Sequence, residues 1–516
     1  MYTLTFLSAQ QLVKDEEAIC KMLESVPSVV YDILFKVAYR YNKIKLLSKL
    51  MMTWPYPQFK LQKLLQTCWC SSRKSSKKCQ KCWEILIYDE LRQKRINNII
   101  FGVIKYVKKA MMDDSQQLPK RILQQVDMTG VVSRNILWNE KFLMLCIVLI
   151  SHPQIYNSSQ RQTDDPQSQR GDQRAEGSPV STKEIHVDLL IDLQMPASFW
   201  EFLKKFLKKY TNGPLHLKCR NFYTSYTFLH YHVKCFAPLD TLAIRRMDLT
   251  YSKITLMELK RLMSQMTTLQ SLQSLLLPSF SIDERLSAAT ARKTDIKILA
   301  AELGKFKHLR EISIHCLHLS DLVEYLLRDL PYSLESLQLS YCSLTKKDLT
   351  YMAQSHHSTH LIKLDLSGNM LGKQLDSFLK LLKSASNSLK WLNVTNCELN
   401  DTDFYEISSY LYSCTYLSYL GLYNNPISER SLIAFLKPFP YKLPNMKIMS
   451  IPICADCFTK SIQHLTYLRT PKQNIESNTF FSTLNEIKSM QITKEELDIE
   501  FTNSSISIVS DYFDLQ

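Results

Sequence analysis

The chain has 516 residues, 45% of them hydrophobic, with 14 cysteines and a formal net charge of +15. That apolar share excludes a wholly disordered chain. The longest uninterrupted apolar run, FLMLCIVLI (142–150), is too short to span a bilayer, and MYTLTFLSAQQ lacks the basic start of a secretory leader, so free thiols in the cytoplasm, with the nucleus as the other fitting compartment, are expected.

Residues 1–150 read as a basic helical domain with turn signals at VPS (26–28) and WPYP (54–57). Within ILFKVAYRYNKIKLLSKL (33–50), Lys36, Arg40 and Lys43 follow helical spacing, and Ile33, Leu34, Val37, Ile44 and Leu47 make the opposing stripe. Residues 36–121 carry 20 Lys and Arg against 5 Asp and Glu, so the basicity belongs here. A solvated helix face accounts for it; a nucleic-acid-associated protein using this segment is the alternative. Cys68, Cys70, Cys79 and Cys82 fall within 15 residues around a basic loop. Four thiolates suit structural zinc, yet the first pair has one intervening residue instead of two to four, and ordinary thiols fit as well, so no metal is assigned. LQKLL (61–65) and LQSLL (272–276) match a short docking helix, although the second coincides with core positions of the frame below.

Residues 151–184 are polar and poor in aliphatics, and read as a disordered linker. From about 185 to 470 a frame recurs. LREISIHCLHL (309–319), LESLQLSYCSL (334–344), LIKLDLSGNML (361–371), LKWLNVTNCEL (389–399) and LSYLGLYNNPI (417–427) start 25, 27, 28 and 28 residues apart. Weaker copies lie around Met247, Leu275 and Met449, and IHVDLLIDL (185–193) and PLHLKCRNF (214–222) read as strands. Side chains alternate on a strand, so frame positions 4 and 6 enter the core and positions 3, 5 and 7 face out. The turn that follows leaves backbone groups to be paired, which Asn369 and Asn425 can do, and Cys342 and Cys397 more weakly. Helical stripes such as Leu375, Phe378, Leu379 and Leu382 return the chain. A period of this length that buries its face only against a neighbour defines the fold class: an α/β leucine-rich-repeat solenoid, a curved parallel sheet with outer helices. Residues 471–516 read as a C-terminal helix and tail able to cap the last repeat.

The outward positions form columns, among them Glu311, Ser336, Lys363, Trp391 and Tyr419, then Ser313, Gln338, Asp365, Asn393 and Gly421. Trp391, Tyr419 and Tyr423, with Lys363 and Asp365, are expected as an exposed partner-binding patch on the concave face, unless the C-terminal helix covers them. In HHSTH (356–360), His356 and His360 have metal-ligand spacing but fall where a repeat helix turns into the next strand. No two of the nine glycines have the spacing of a phosphate loop or nucleophile elbow, so neither an enzyme nor a cofactor is expected.

FLSAQQLV, residues 33–66 with TWPYP inside them, QVDMTG (125–130), LESLQLSYC, HLIKLDLSGNML and LGLYNNPIS together resemble the PRAME and leucine-rich repeat-containing protein 14 family. The resemblance implies an intracellular, non-enzymatic adaptor whose N-terminal helices recruit an elongin and cullin ubiquitin ligase scaffold and whose repeats present the target. It also implies restraint of NF-kappa-B signalling through an inhibitor-of-kappa-B kinase. Leu34 and Ala38 match the scaffold-binding helix by that resemblance, while Asn42 stands where the motif has an aliphatic residue.

Overall fold

Alternation within each frame predicts three to five extended residues followed by an immediate turn, and the chain follows that pattern. A computed structural model describes residues 4–66, 90–112, 123–130, 186–194, 214–224, 243–250, 252, 256–278, 289–452 and 498–500, with single positions at 144, 203 and 205. It divides into two units, residues 1–245 and 246–516.

The first unit opens with α1 (Leu4–Leu12), α2 (Glu16–Met22), α3 (Tyr31–Arg40) and α4 (Ile44–Met52). Asp15 caps α2 by accepting a hydrogen bond from the Ala18 amide at 3.0 Å, satisfying an amide that the helix itself leaves open. α3 stops because Asn42 adopts φ +53°, with the Lys43 amide returning to the Ala38 carbonyl and the Asn42 amide to Tyr39, the hydrogen-bond pattern of a left-handed C-terminal cap. Next come β1 (Gln58–Lys60), α5 (Leu61–Gln66), α6 (Glu90–Met112), β2 (Gln125–Asp127), β3 (Val187–Gln194) and β4 (Leu215–Tyr223). The strands pair in parallel in the order β1-β2-β3-β4. The region read as purely helical therefore carries two strands, and QVD of the QVDMTG stretch is one of them. Trp54 of WPYP locks the crossing from helix to strand. Its ring meets Phe59 edge-on at 5.0 Å and Phe35 at 6.0 Å, and its indole N–H donates to the Gln58 carbonyl at 3.2 Å.

The second unit repeats strand and outer helix: β5 (Arg246–Asp248), α7 (Leu256–Met266), β6 (Ser274–Leu276), α8 (Ala289–Leu303), β7 (Glu311–His315), α9 (Val323–Leu327), β8 (Ser336–Ser340), α10 (Lys346–Gln354), β9 (Lys363–Asp365), α11 (Leu375–Ala385), β10 (Trp391–Asn393), α12 (Asp401–Leu411), β11 (Tyr419–Gly421), α13 (Glu429–Leu436), α14 (Phe439–Lys442), β12 (Ile448–Ser450) and β13 (Asp498–Glu500). Each of these strands pairs in parallel with the next. LQSLL thus runs into strand β6, not a docking helix, and the leading Leu61 of LQKLL is buried in α5. Frame position 12 supplies the helix caps, where Thr345 and Asn400 form capping boxes with Asp348 and Asp403, and Ser428 accepts from the Ser431 amide. The expected disordered linker and the C-terminal helix fall on residues outside those described, as does the four-cysteine group at 68–82, and of the tail only β13 is described.

Candidate functional site

Register places frame position 3 of successive strands side by side: Arg246, Ser274, Glu311, Ser336, Lys363, Trp391, Tyr419 and Ile448. Neighbouring strands stand about 4.8 Å apart, which is also a ring-stacking distance, so side chains in such a row can lie on one another. They do so here. Trp391 and Tyr419 stack at 4.6 Å with 9° between ring planes, and Lys363 Nζ sits 4.9 Å from the indole centroid. Glu311 anchors the other half of the row. It accepts hydrogen bonds from Ser274, from Ser336 at 3.0 Å and from Gln338 at 2.9 Å, with Arg246 at 3.7 Å and Lys363 at 3.8 Å.

The exposed patch expected of Trp391, Tyr419, Lys363 and Asp365 is therefore corrected. Trp391 and Tyr419 are 0% exposed, Lys363 and Asp365 are buried, and Tyr423 is half-buried. Lateral packing along the row contributes to this burial, and a strand-by-strand reading of inward and outward positions does not see it. Asp365 is also tied down, accepting from the Ser367 amide at 2.9 Å, the Ser367 hydroxyl at 2.7 Å and Asn393 Nδ2 at 3.2 Å. Burial holds the His315 imidazole below its usual pKa, overriding the upward pull of Asp365 and Asp248. Gly421 makes room for this packing, because a Cβ there would meet Asn393 Oδ1 and the Tyr419 hydroxyl.

Below the row lies the turn ladder. Asn369 Oδ1 accepts from the amides of Cys342 at 3.2 Å and Leu344 at 3.1 Å, and its Nδ2 donates to the carbonyls of Leu339 and Leu366 at 2.8 Å. Asn425 does the same for Cys397 and Leu399, Val394 and Leu422. At the alternate repeats the thiols donate instead, Cys342 to the Ile314 carbonyl at 3.5 Å and Cys397 to Leu366 at 3.3 Å. Burial pushes the Cys342 thiol up to about 12 and Cys397 upward as well, so both remain protonated donors.

One residue earlier the backbone is left-handed in five consecutive frames: Cys316, Tyr341, Gly368, Asn396 and Asn424, with φ between +56° and +71°. The Tyr341 ring lies across Gly368, where any Cβ would collide with it. Asn396 Nδ2 donates to the Tyr341 hydroxyl at 3.4 Å, and Asn424 Nδ2 to Asn396 Oδ1 at 2.8 Å. Tyr341 and Met370 are both exposed at this strand-end edge. A bulky residue in the left-handed region is the signal that sequence reasoning missed, because frame position 8 was given no role.

In the first unit, α3 buries both Leu34 and Ala38 completely, and the helix has ended before Asn42. Leu34 and Ala38, matched to a scaffold-binding helix by the resemblance, lie on the buried inner face of α3 together with Phe35 and Tyr39. The apolar face that is open lies on α1, where Leu4, Leu7 and Leu12 are 80%, 45% and 50% exposed opposite the buried Phe6, Ala9 and Val13. Of the histidines in HHSTH, His357 carries the structural work. Its Nδ1 accepts from the Leu334 amide, and Nε2 faces the Leu327 carbonyl, both at 3.2 Å.

Parallel frames, a shared turn ladder and outer helices define a leucine-rich-repeat protein, a fold of the protein-interaction type. The chain belongs to the PRAME family: the family model of the PRAME N-terminal domain matches residues 2–96, and that of the PRAME C-terminal domain matches residues 183–469. It is similar to leucine-rich repeat-containing protein 14 of Mus musculus, with 30% identity covering 89% of this chain and 88% of the relative; the Homo sapiens protein gives the same figures. The Xenopus laevis relative is 28% identical over 97% of both chains. No helix among the described residues is long and apolar enough to cross a membrane.

Proposed function

We propose that this chain is a non-enzymatic adaptor, the substrate receptor of a cullin-RING ubiquitin ligase, with α1 as the element that meets the elongin scaffold. The observation that carries this reading is the α1 face. Three leucines on one short helix, turned away from their own core, form the kind of apolar stripe that docks in a groove of another protein. Leu34 and Ala38 support it differently from the resemblance, by packing the core on which α1 rests. For the target, the resemblance points to a signalling protein of the inhibitor-of-kappa-B kinase type, and the exposed strand-end edge at Tyr341 is the surface we assign to it.

Against the nucleic-acid alternative, three described cations of the basic segment are engaged within the chain. Arg95 is buried 5.0 Å from the Tyr39 ring centroid, Lys45 pairs with Glu17 at 3.4 Å, and Lys43 donates to the Lys14 carbonyl. The test is capture of purified elongin by the full chain. Leu4→Ser, Leu7→Ser and Leu12→Ser together should abolish capture while leaving the melting temperature unchanged. Failure of the unmodified chain to retain elongin would remove the ligase reading and leave only the protein-binding one.

A further inference from the structure

On the outer face of the second unit, Tyr325 of α9 lies among cations from neighbouring elements. Lys293 and Lys297, one helical turn apart on α8, place their ammonium groups 4.3 Å and 5.3 Å from the Tyr325 ring centroid, and the Arg328 guanidinium lies at 5.9 Å. Arg328 is already neutralised, with Glu324 at 3.7 Å and Asp329 at 3.3 Å. Among the described residues, neither Lys293 nor Lys297 pairs with a carboxylate. Two like charges at this helical spacing repel each other, and both converge on one phenol. Lys293 above all, with a smaller pull from Lys347 of α10, draws the Tyr325 hydroxyl below its usual range. Lys347 lines an open groove of about 690 Å³ beside Glu324 and Tyr351, so the space next to α9 is accessible.

A dianion at the end of the Tyr325 side chain would meet this arrangement as a counter-ion. We propose that Tyr325 is a phosphoryl-acceptor site whose phosphate is held by Lys293 and Lys297 of the preceding helix. The phenol oxygen attacks the γ-phosphorus of a nucleoside triphosphate, the bond to the nucleoside diphosphate breaks, and the phenolic proton leaves to solvent. The phosphate then carries close to two negative charges and three acceptor oxygens into a site with two uncompensated ammoniums, tying α8 to α9. The consequence is a modification that stiffens the solenoid instead of opening it.

The test treats the full chain with ATP, Mg²⁺ and a broad-specificity tyrosine kinase domain, maps the modified tyrosines by mass spectrometry and measures melting. Phosphate on Tyr325 and a rise of about 2 to 4 °C are expected, with the rise absent from the Lys293→Gln, Lys297→Gln double variant. Tyr405, 81% exposed on α12, is the internal comparison. Phosphate on Tyr405 without phosphate on Tyr325 would overturn the proposal, as would a modified Tyr325 with unchanged melting. If the kinase modifies no tyrosine, phosphotyrosine installed at position 325 during synthesis of the full chain gives the same readout, and a melting temperature at or below that of the unmodified chain sinks the idea.

Discussion

Asn369 serves two amides and two carbonyls with one side chain, and no other residue type of its size can do that. Asn369→Ala leaves those groups buried and unpaired, which should cost on the order of 3 kcal/mol. Cys397→Ala loses only weak thiol bonds and should cost about 1 kcal/mol. Urea melts of the two variants decide it: equal losses would mean that water or backbone shifts replace the asparagine. His357 gives the second expectation at this scale. Burial, the largest effect on it, lowers its pKa to about 4 despite the upward pull of the Leu327 carbonyl. An unfolded chain takes up that proton near pH 6.5, the folded one not until about 4. Stability should therefore be flat above pH 6.5 for this group and fall between 6.5 and 4, by on the order of 3 kcal/mol. His357→Gln should flatten that part of the melting profile, and an unchanged acid slope would place the titration elsewhere.

Among elements, the strand-end turns show what a frame can and cannot announce. The strands of the second unit were legible because a two-residue alternation and a period near 28 both act within one short window. The turn partners were legible for the same reason, since a buried bend needs an amide or a thiol whatever surrounds it. Burial of Trp391, Tyr419, Lys363 and Asp365 was not, because it depends on tertiary surroundings, among them neighbours in the row about 28 residues away in sequence. β1 and β2 were missed as three-residue strands too short to show alternation. The burial of Leu34 was legible in the apolar stripe opposite Lys36, Arg40 and Lys43. At Gly368 the requirement is local and testable. Its φ of +71° disfavours a side chain by about 1 to 2 kcal/mol, and a Cβ would also displace the Tyr341 ring. Gly368→Ala should lose both contributions, and adding Tyr341→Ala should restore the steric share alone. A double variant no more stable than the single would show that the ring was not the obstacle.

Across the whole molecule, the two units put their open surfaces on different kinds of element, a helix face on α1 and a strand-end edge in the repeats. The turn ladder adds a polarity to the array. Asn425 holds the turn of the frame before its own, at Cys397 and Leu399, and Asn369 likewise holds the turn of the frame before its own, at Cys342 and Leu344. Each latch is thus worn by the later repeat and closes the earlier one. Loss of the repeat bearing Asn425 would release its predecessor's turn, whereas loss of an earlier repeat leaves the later latch intact. Opening should run backwards along the chain like a zip pulled from its C-terminal end. In native-state hydrogen exchange, the amides of Cys397 and Leu399 should then open together with β11 at lower free energy than those of Cys342 and Leu344, and simultaneous opening of all four would mean that the array gives way as a single block.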